Sequence, residues 1–403
     1  MAIQGLHYYC CFLSFVNTCE VGKGSGSFVV PSQEEVEAVG GPSETGKKSF
    51  KNLPTYQKGF HDEESCNIMK YSTFGKTGLE VSVLGFGGAE LGLVYGTPEE
   101  ENGIQTVIKA VKSGINYIDT APYYIQGKAE IVLGKALKQI PRNTYYLATK
   151  VARYGATPED MFDFSYERTL KSFEESLDRL GVDYIDILQI KFRYLMKNTV
   201  NIMIMKKEYS DCIFCLQVHD VEYARDTKII VNETLPALQK LKDMGKIKFI
   251  GITGYPISKL KEVLEKSTVN IDAEKNLGIV NAAILGMGLL TENGPPDWHP
   301  VGSEIKEICK KAADYCKEHN ANISKIAVCH SFSQHDINVH LVGMQYEKLL
   351  EANLLCVKEG LSQHENNVKE EILSKYFKNL TTTHWENKEV QIYWKNLEKL
   401  QLW

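Results

Sequence analysis

Short apolar runs alternate with amphipathic stretches along most of this chain, at the spacing of strand–helix units. The apolar runs begin at Leu84 and near Asn116, Tyr145, Tyr184, Lys248, Gly278 and Val339. Between them, residues 101–112, 130–138 and 165–180 carry hydrophobic side chains at helical intervals. Such alternation predicts a parallel α/β sheet with its helices outside. An eight-unit barrel needs roughly 250 residues. A chain of 403 residues can therefore hold one (β/α)8 TIM-type barrel with extensions. Residues 71–83 alternate around Gly75-Lys76-Thr77-Gly78, a hairpin signal ahead of the first strand. The organisation expected is a mobile leader over 1–66, a barrel over 67–360 and a polar, helix-prone tail over 361–403.

Charge and composition narrow the class. The formal net charge is −5, which gives no reason to expect nucleic acid or a membrane surface. No apolar run approaches the ~20 residues of a membrane span. Residues 8–16 are apolar, but no Lys or Arg precedes them, so the positive flank of a secretory signal is missing. The ten cysteines are scattered and do not read as a disulfide framework. A reduced, cytoplasmic setting is expected. Cys212 and Cys215 stand at CxxC spacing without a second pair, so two free thiols are expected and no metal site.

Polar groups stand where three apolar runs end. Asp119 follows Tyr117-Ile118, Lys150 closes YYLATK, and His219 closes LQVH. The C-terminal ends of barrel strands are where such folds keep their chemistry. Tyr124 follows five residues after Asp119. A phenol is a poor acid until a nearby cation stabilises its phenolate, and a buried lysine supplies one. Asp119 would hold that lysine charged and aimed, and His219 would hydrogen-bond a substrate oxygen. The group suits proton transfer in carbonyl reduction or alcohol oxidation. Taken singly, the tyrosine could be a rim aromatic, and the Asp–Lys pair a plain buried ion pair. Buried pairs add little net stability, which favours a functional role.

From about Met69 to Leu354 the chain resembles the aldo-keto reductases, and within them the aldose 1-dehydrogenases of small sugars such as L-galactose. The resemblance rests on FGKTGLEVSVLGFGG, DTAPYY, Lys150, VHD around His219, GKIKFIGITGYP, LGMGLLTENGPPDWHP and LVGMQYEKLLEANL, in that order. It implies a hairpin plugging the barrel bottom, a nicotinamide cofactor, and the catalytic set Asp119, Tyr124, Lys150 and His219. It implies cofactor contacts at Gly87, at Thr253 and Gly254, and at a pyrophosphate loop of Leu285, Gly286, Gly288 and Leu289. Gly343, Met344, Gln345 and Asn353 would grip the adenosine end. Thr253-Gly254 stands where many relatives carry Ser-Asn, and Ala282 where many carry a stacking tyrosine. Residues 344–347 carry no cation for a 2′-phosphate, and Lys348 comes a turn later, so NAD is expected, with NADP possible. Trp298 and His299, in PPDWHP, are expected on a rigid loop facing substrate. The function implied is oxidation of an aldose C1 hydroxyl to a lactone, or carbonyl reduction in reverse. A non-catalytic nicotinamide-binding regulatory barrel, or an inactive splice form, would carry the same motifs.

Two places break the pattern. Residues 190–217 separate ILQ from VHD, and LQ then occurs a second time, as if a segment had been inserted after the fourth strand. Between Ile250 and Gly278 only one strand–helix unit's worth of chain is present, so part of the sixth unit is missing. Residues 269–272 could begin it, but a parallel crossover needs a dozen or more residues. A wall lacking one stave is expected to expose strand edges.

Overall fold

The computed structural model describes residues 50–75, 77–186, 190–191, 217–218, 220–247, 250–254, 257–267, 278–334, 337–378, 380 and 388–400. It opens with the expected hairpin. Strand β1 (Tyr71–Thr73) pairs antiparallel with β2 (Glu80–Ser82), Tyr71 opposite Ser82. Gly75 and Gly78 take left-handed φ values of 51° and 71°, which lets the chain reverse, and Phe74 N donates to Leu79 O at 2.7 Å. Phe74 is fully buried, with its ring 6.1 Å from that of Tyr117. Burying such a ring contributes about 1.5–3 kcal/mol. Asn116 ties the hairpin to the wall: its Oδ1 accepts from Ser82 N at 2.8 Å and its Nδ2 donates to Glu80 O at 2.8 Å.

The wall is parallel. Strands β3 (Leu84–Gly87), β4 (Tyr117–Asp119), β5 (Tyr146–Ala148), β6 (Lys150–Val151), β7 (Ile190–Lys191), β8 (Gln217–Val218), β9 (Gly251–Ile252), β10 (Ile279–Asn281) and β11 (Val339–Gly343) follow in chain order. One sheet runs β5-β4-β3-β11-β10-β7, the other β6-β8-β9. Only Thr149 separates β5 from β6, so one stretch of chain joins the two sheets. Phe86 registers with Ile118, His340 with Leu84, and Gln217 with both Lys150 and Gly251. Inward side chains from these strands and from the hairpin close a core of Phe74, Val81, Tyr117, Ala148, Val280, Val339 and Leu341.

Helices cover the outside. After β3 comes α1 (Glu100–Lys112), after β4 α2 (Lys128–Leu137), and after β6 α3 (Tyr166–Leu180). Helix α3 starts where Ser165 Oγ accepts from Arg168 N and stops at Gly181, whose φ of 66° is cheap only for glycine. Then follow α4 (Leu235–Asp243), α5 (Ile257–Lys266), α6 (Ser303–Glu318), α7 (Ile323–Phe332) and α8 (Glu347–Glu359). The tail adds α9 (Gln363–Ile372) and α10 (Lys388–Lys399). Val107, Val111, Leu133, Leu137 and Leu350 bury the inner faces of α1, α2 and α8 against β3, β4 and β5. Among the described residues this is a partial (β/α)8-type barrel.

Two expectations change. Residues 50–66, assigned to the leader, pack under the barrel: Cys66 Sγ donates to Lys112 O at 3.3 Å, and Asn116 Nδ2 reaches Thr55 Oγ1 at 3.1 Å. Phe50, Leu53 and Cys66 are buried there, and that apolar area is what keeps the segment on the barrel. The wall also treats its missing stave differently. Ile190 pairs in parallel with Ile279 and Lys191 with Val280, so the start of the inserted segment occupies the edge of β10 that was expected to be open. Unpaired backbone groups along a buried edge are costly, and this pairing satisfies some of them. Residues 269–272, where a sixth strand was sought, and Cys212 and Cys215 lie outside the described residues.

Candidate active site

Strands β4 and β6 deliver the first two site residues. Asp119 registers with Ala148, two residues before Lys150, so both side chains arrive at the same end of the wall. Lys150 Nζ donates to Asp119 Oδ1 at 2.6 Å and to Thr120 O at 2.8 Å. Each of the two residues is 4% exposed. Asp119 Oδ2 is buried and has no hydrogen-bond partner among the described residues. Tyr124 sits in the turn beyond Asp119, its N donating to Ala121 O at 3.1 Å. Ile125, Gln126 and Gly127 then take left-handed φ values of 49°, 48° and 83°, and α2 begins. The half-buried Tyr124 ring has its centroid 4.8 Å from Lys150 Nζ. His219 lies outside the described residues.

A cavity of about 380 Å³ opens at this end of the barrel. Asp119, Tyr124 and Lys150 line it, as do Gly87, Thr253, Gly254, Leu285, Gly288, Gly343 and Trp298. Of the residues expected to hold cofactor, these are the ones brought together. Ala282, at the expected stacking position, also lines it.

The remaining expected residues stand off the cavity wall. Met344 and Leu289 are 1% exposed and belong to the packed cores outside the strands, where long apolar side chains are most stable. Gly286 is buried, and its carbonyl meets His299 Nε2 at 3.1 Å. Asn353 stays on α8, its Nδ2 donating to Leu349 O at 2.8 Å. Gln345 does not line the cavity, though its Oε1 is buried with no hydrogen-bond partner among the described residues. His299 does not line the cavity. It is 3% exposed, and its Nδ1 accepts from Val301 N at 3.2 Å. Burial pushes its pKa down to about 4, which keeps the ring neutral. It braces the 286–288 loop from behind. Trp298 beside it does reach the cavity.

The cavity suits a nicotinamide dinucleotide. A Cβ on Gly87 would come within 3.0 Å of Val342 O, and one on Gly343 within 2.6 Å of the Glu90 carboxyl carbon. Gly288 has φ +99°, and a Cβ there would meet Gly294 O at 2.9 Å. The chain's own atoms fill the space a Cβ would take at these positions, so glycine lets the wall pack closely beside the cavity. Asp119 Oδ2 offers a buried acceptor of the kind a ribose hydroxyl would satisfy.

The sequence reading missed several lining residues: Glu90, Tyr123, Arg153, Asp220 and Glu222. A signal was available for two of them: Asp220 and Glu222 follow one and three residues after His219, just past a strand end.

Comparison with known proteins agrees with this geometry. The aldo/keto reductase family model matches residues 83–274. L-galactose dehydrogenase from Arabidopsis thaliana is 38% identical over 336 residues, covering 76% of this chain and 95% of that one. D-arabinose 1-dehydrogenase from Saccharomyces cerevisiae is 29% identical over 349 residues, covering 76% and 94%. Among solved structures, the aldo-keto reductase AKR11C1 from Bacillus halodurans (holo form) superposes with a TM-score of 0.53 at 23% identity. That match covers 75% of this chain and 96% of the other, and it speaks to fold alone. A barrel whose mouth gathers Asp119, Tyr124 and Lys150, together with a relative 38% identical along nearly its full length, places this chain in the aldo-keto reductase family of nicotinamide-dependent oxidoreductases.

Proposed function

We propose that this chain oxidises the C1 hydroxyl of a small aldose, such as L-galactose or D-arabinose, to a lactone, with NAD as the acceptor. The observation that carries the reading is the contact set at the cavity: Lys150 Nζ 2.6 Å from Asp119 Oδ1 and 4.8 Å from the Tyr124 ring centroid. Bound NAD supplies the hydride acceptor. Tyr124 takes the C1 hydroxyl proton as the hydride leaves. The Lys150 ammonium stabilises the negative charge that Tyr124 must carry beforehand, and Asp119 with the Thr120 carbonyl fixes the ammonium in place. His219 orients the substrate oxygen. In reverse, Tyr124 protonates the alkoxide of a reduced carbonyl.

NAD fits better than NADP because residues 344–347 carry no cation for a 2′-phosphate. Lys348 is exposed, and Lys109 is engaged by Glu347 at 2.8 Å and Glu351 at 2.7 Å. A small-sugar substrate inside a cell agrees with the acidic net charge and the free cysteines. No helix among the described residues is long and apolar enough to cross a membrane.

The test is Tyr124→Phe. Loss of the acid/base group is expected to reduce turnover by about two to four powers of ten. Cofactor affinity, read by quenching of protein fluorescence, should hardly change. A variant that keeps near-normal turnover removes Tyr124 from the reaction.

A further inference from the structure

Next to the proton-transfer residues lies a second charged group that the reaction above does not use. Arg153 is 3% exposed and fully enclosed by protein, yet it lines the cavity. Its Nη1 pairs with Asp220 Oδ2, and its Nη2 donates to Tyr123 Oη at 3.0 Å. The guanidinium lies 3.9 Å from the Tyr123 ring centroid. Glu222, 6% exposed, lines the same wall beside Gly254, where a Cβ would collide with its carboxylate.

The backbone is bent to build this group. Ala152 has φ 79° and Asp220 has φ 56°, both left-handed and neither a glycine. The first bend lies between Lys150 and Arg153, the second directly after β8. Non-glycine residues in this region cost roughly 1 kcal/mol or more each, persist only where the surrounding structure over-determines them, and cluster at active sites and ligand clamps. Helix α10 closes the group from outside. Tyr393 packs edge-on against Tyr223 at 5.4 Å and Phe162 at 5.3 Å, and Glu389 is buried beneath the helix. Buried ion pairs contribute little net stability, so packing alone does not account for this expenditure of charge and strain.

We infer that Arg153, Asp220 and Glu222 form the subsite that recognises the non-reacting hydroxyls of a polyhydroxylated substrate. Each sugar hydroxyl both donates and accepts. A wall that alternates a guanidinium with two carboxylates beside the proton-transfer group offers partners for both roles, whereas a plain carbonyl compound has no use for them. Sites built around hydroxyl partners reject analogues lacking the hydroxyl far more strongly than apolar pockets discriminate by size. The inference rests on the aldose reading above and deepens it: these residues determine specificity for that substrate class.

The experiment compares two substrates in the full-length enzyme: L-galactose oxidised with NAD, and 4-nitrobenzaldehyde, which has no hydroxyls, reduced with NADH. The variants are Arg153→Met, Asp220→Asn and Glu222→Gln, with Arg153→Lys as the conservative exchange. The ratio of kcat/KM for the aldose to that for the aldehyde should fall at least tenfold in each of the first three, chiefly through KM. Arg153→Lys should restore part of it. NADH binding, read by fluorescence, confirms folding of each variant. If Arg153 variants fail to fold, Glu222→Gln, which lies outside the ion pair, decides alone. An unchanged ratio, or parallel loss on both substrates, overturns the inference. If the unaltered enzyme reduces the aldehyde but oxidises no aldose, the aldose reading itself is overturned, and the two failures are thereby distinct.

Discussion

At the residue scale, two buried histidines hold structure. His340 on β11 is fully buried, with Nδ1 2.8 Å from Ser331 Oγ, which also accepts from Asn281 Nδ2 at 2.8 Å. Burial pushes its pKa down to about 3, as it pushes that of His299 to about 4, from an ordinary 6.5. Both are neutral in the fold and protonate near 6.5 once unfolded. Their stabilisation is therefore complete above about pH 6.5 and is lost as pH falls through the window toward 4, at about 1.4 kcal/mol per pH unit for each. Thermal unfolding followed from pH 7 to pH 4.5 should show a falling Tm, and His340→Asn should flatten the slope. An identical slope in the variant would mean that other groups carry the acid sensitivity. Cofactor choice is also decided residue by residue. With no cation over 344–347, kcat/KM should be higher for NAD than for NADP. A clear preference for NADP would show that Lys348, or another cation, reaches the 2′-phosphate. The Asp119–Lys150 pair was legible in the sequence because each residue ends an apolar run. Arg153 was not, because its place depends on a left-handed step at Ala152, and an alanine gives no sign of one. His299 was read as facing substrate, but whether a loop residue points in or out is set by tertiary contacts, here those with Gly286 and Val301.

At the scale of elements, the hairpin, the parallel strands and the first three helices could be read from periodicity and turn chemistry. The pairing of β7 with β10 could not, since a contact between Ile190 and Ile279 leaves no local trace. That pairing revises what the insertion does. Deleting residues 190–217 rejoins Gln189 to Val218 and gives ILQVHD one continuous strand. It also strips β10 of its neighbour. Deletion alone should therefore leave Tm unchanged or lower it. Deletion combined with a restored strand and helix between Asp272 and Gly278 should raise Tm by about 5 °C or more, the shift expected of a few kcal/mol in a domain of this size. A deletion that by itself raises Tm would show that the β7–β10 pairing contributes nothing.

At the scale of the whole molecule, one end of the wall gathers Asp119, Tyr124 and Lys150. The wall's lower end is shut by Phe74 and the hairpin, with residues 50–66 packed beneath, while its upper end gathers the cavity. Helix α10 returns from the far end of the chain to cover the Arg153 group, so the tail is part of the site's enclosure. The family and the position of the chemistry followed from motif order along the sequence. The enclosure did not, because it joins residues more than two hundred positions apart. The central claim is that this barrel is a working aldose 1-dehydrogenase and not a nicotinamide-binding barrel without turnover. The most direct test incubates the purified full chain with NAD and L-galactose and measures NADH and lactone together. The expected result is one NADH and one lactone formed per sugar consumed. NADH bound by the protein but no lactone produced, from L-galactose or D-arabinose, would contradict it.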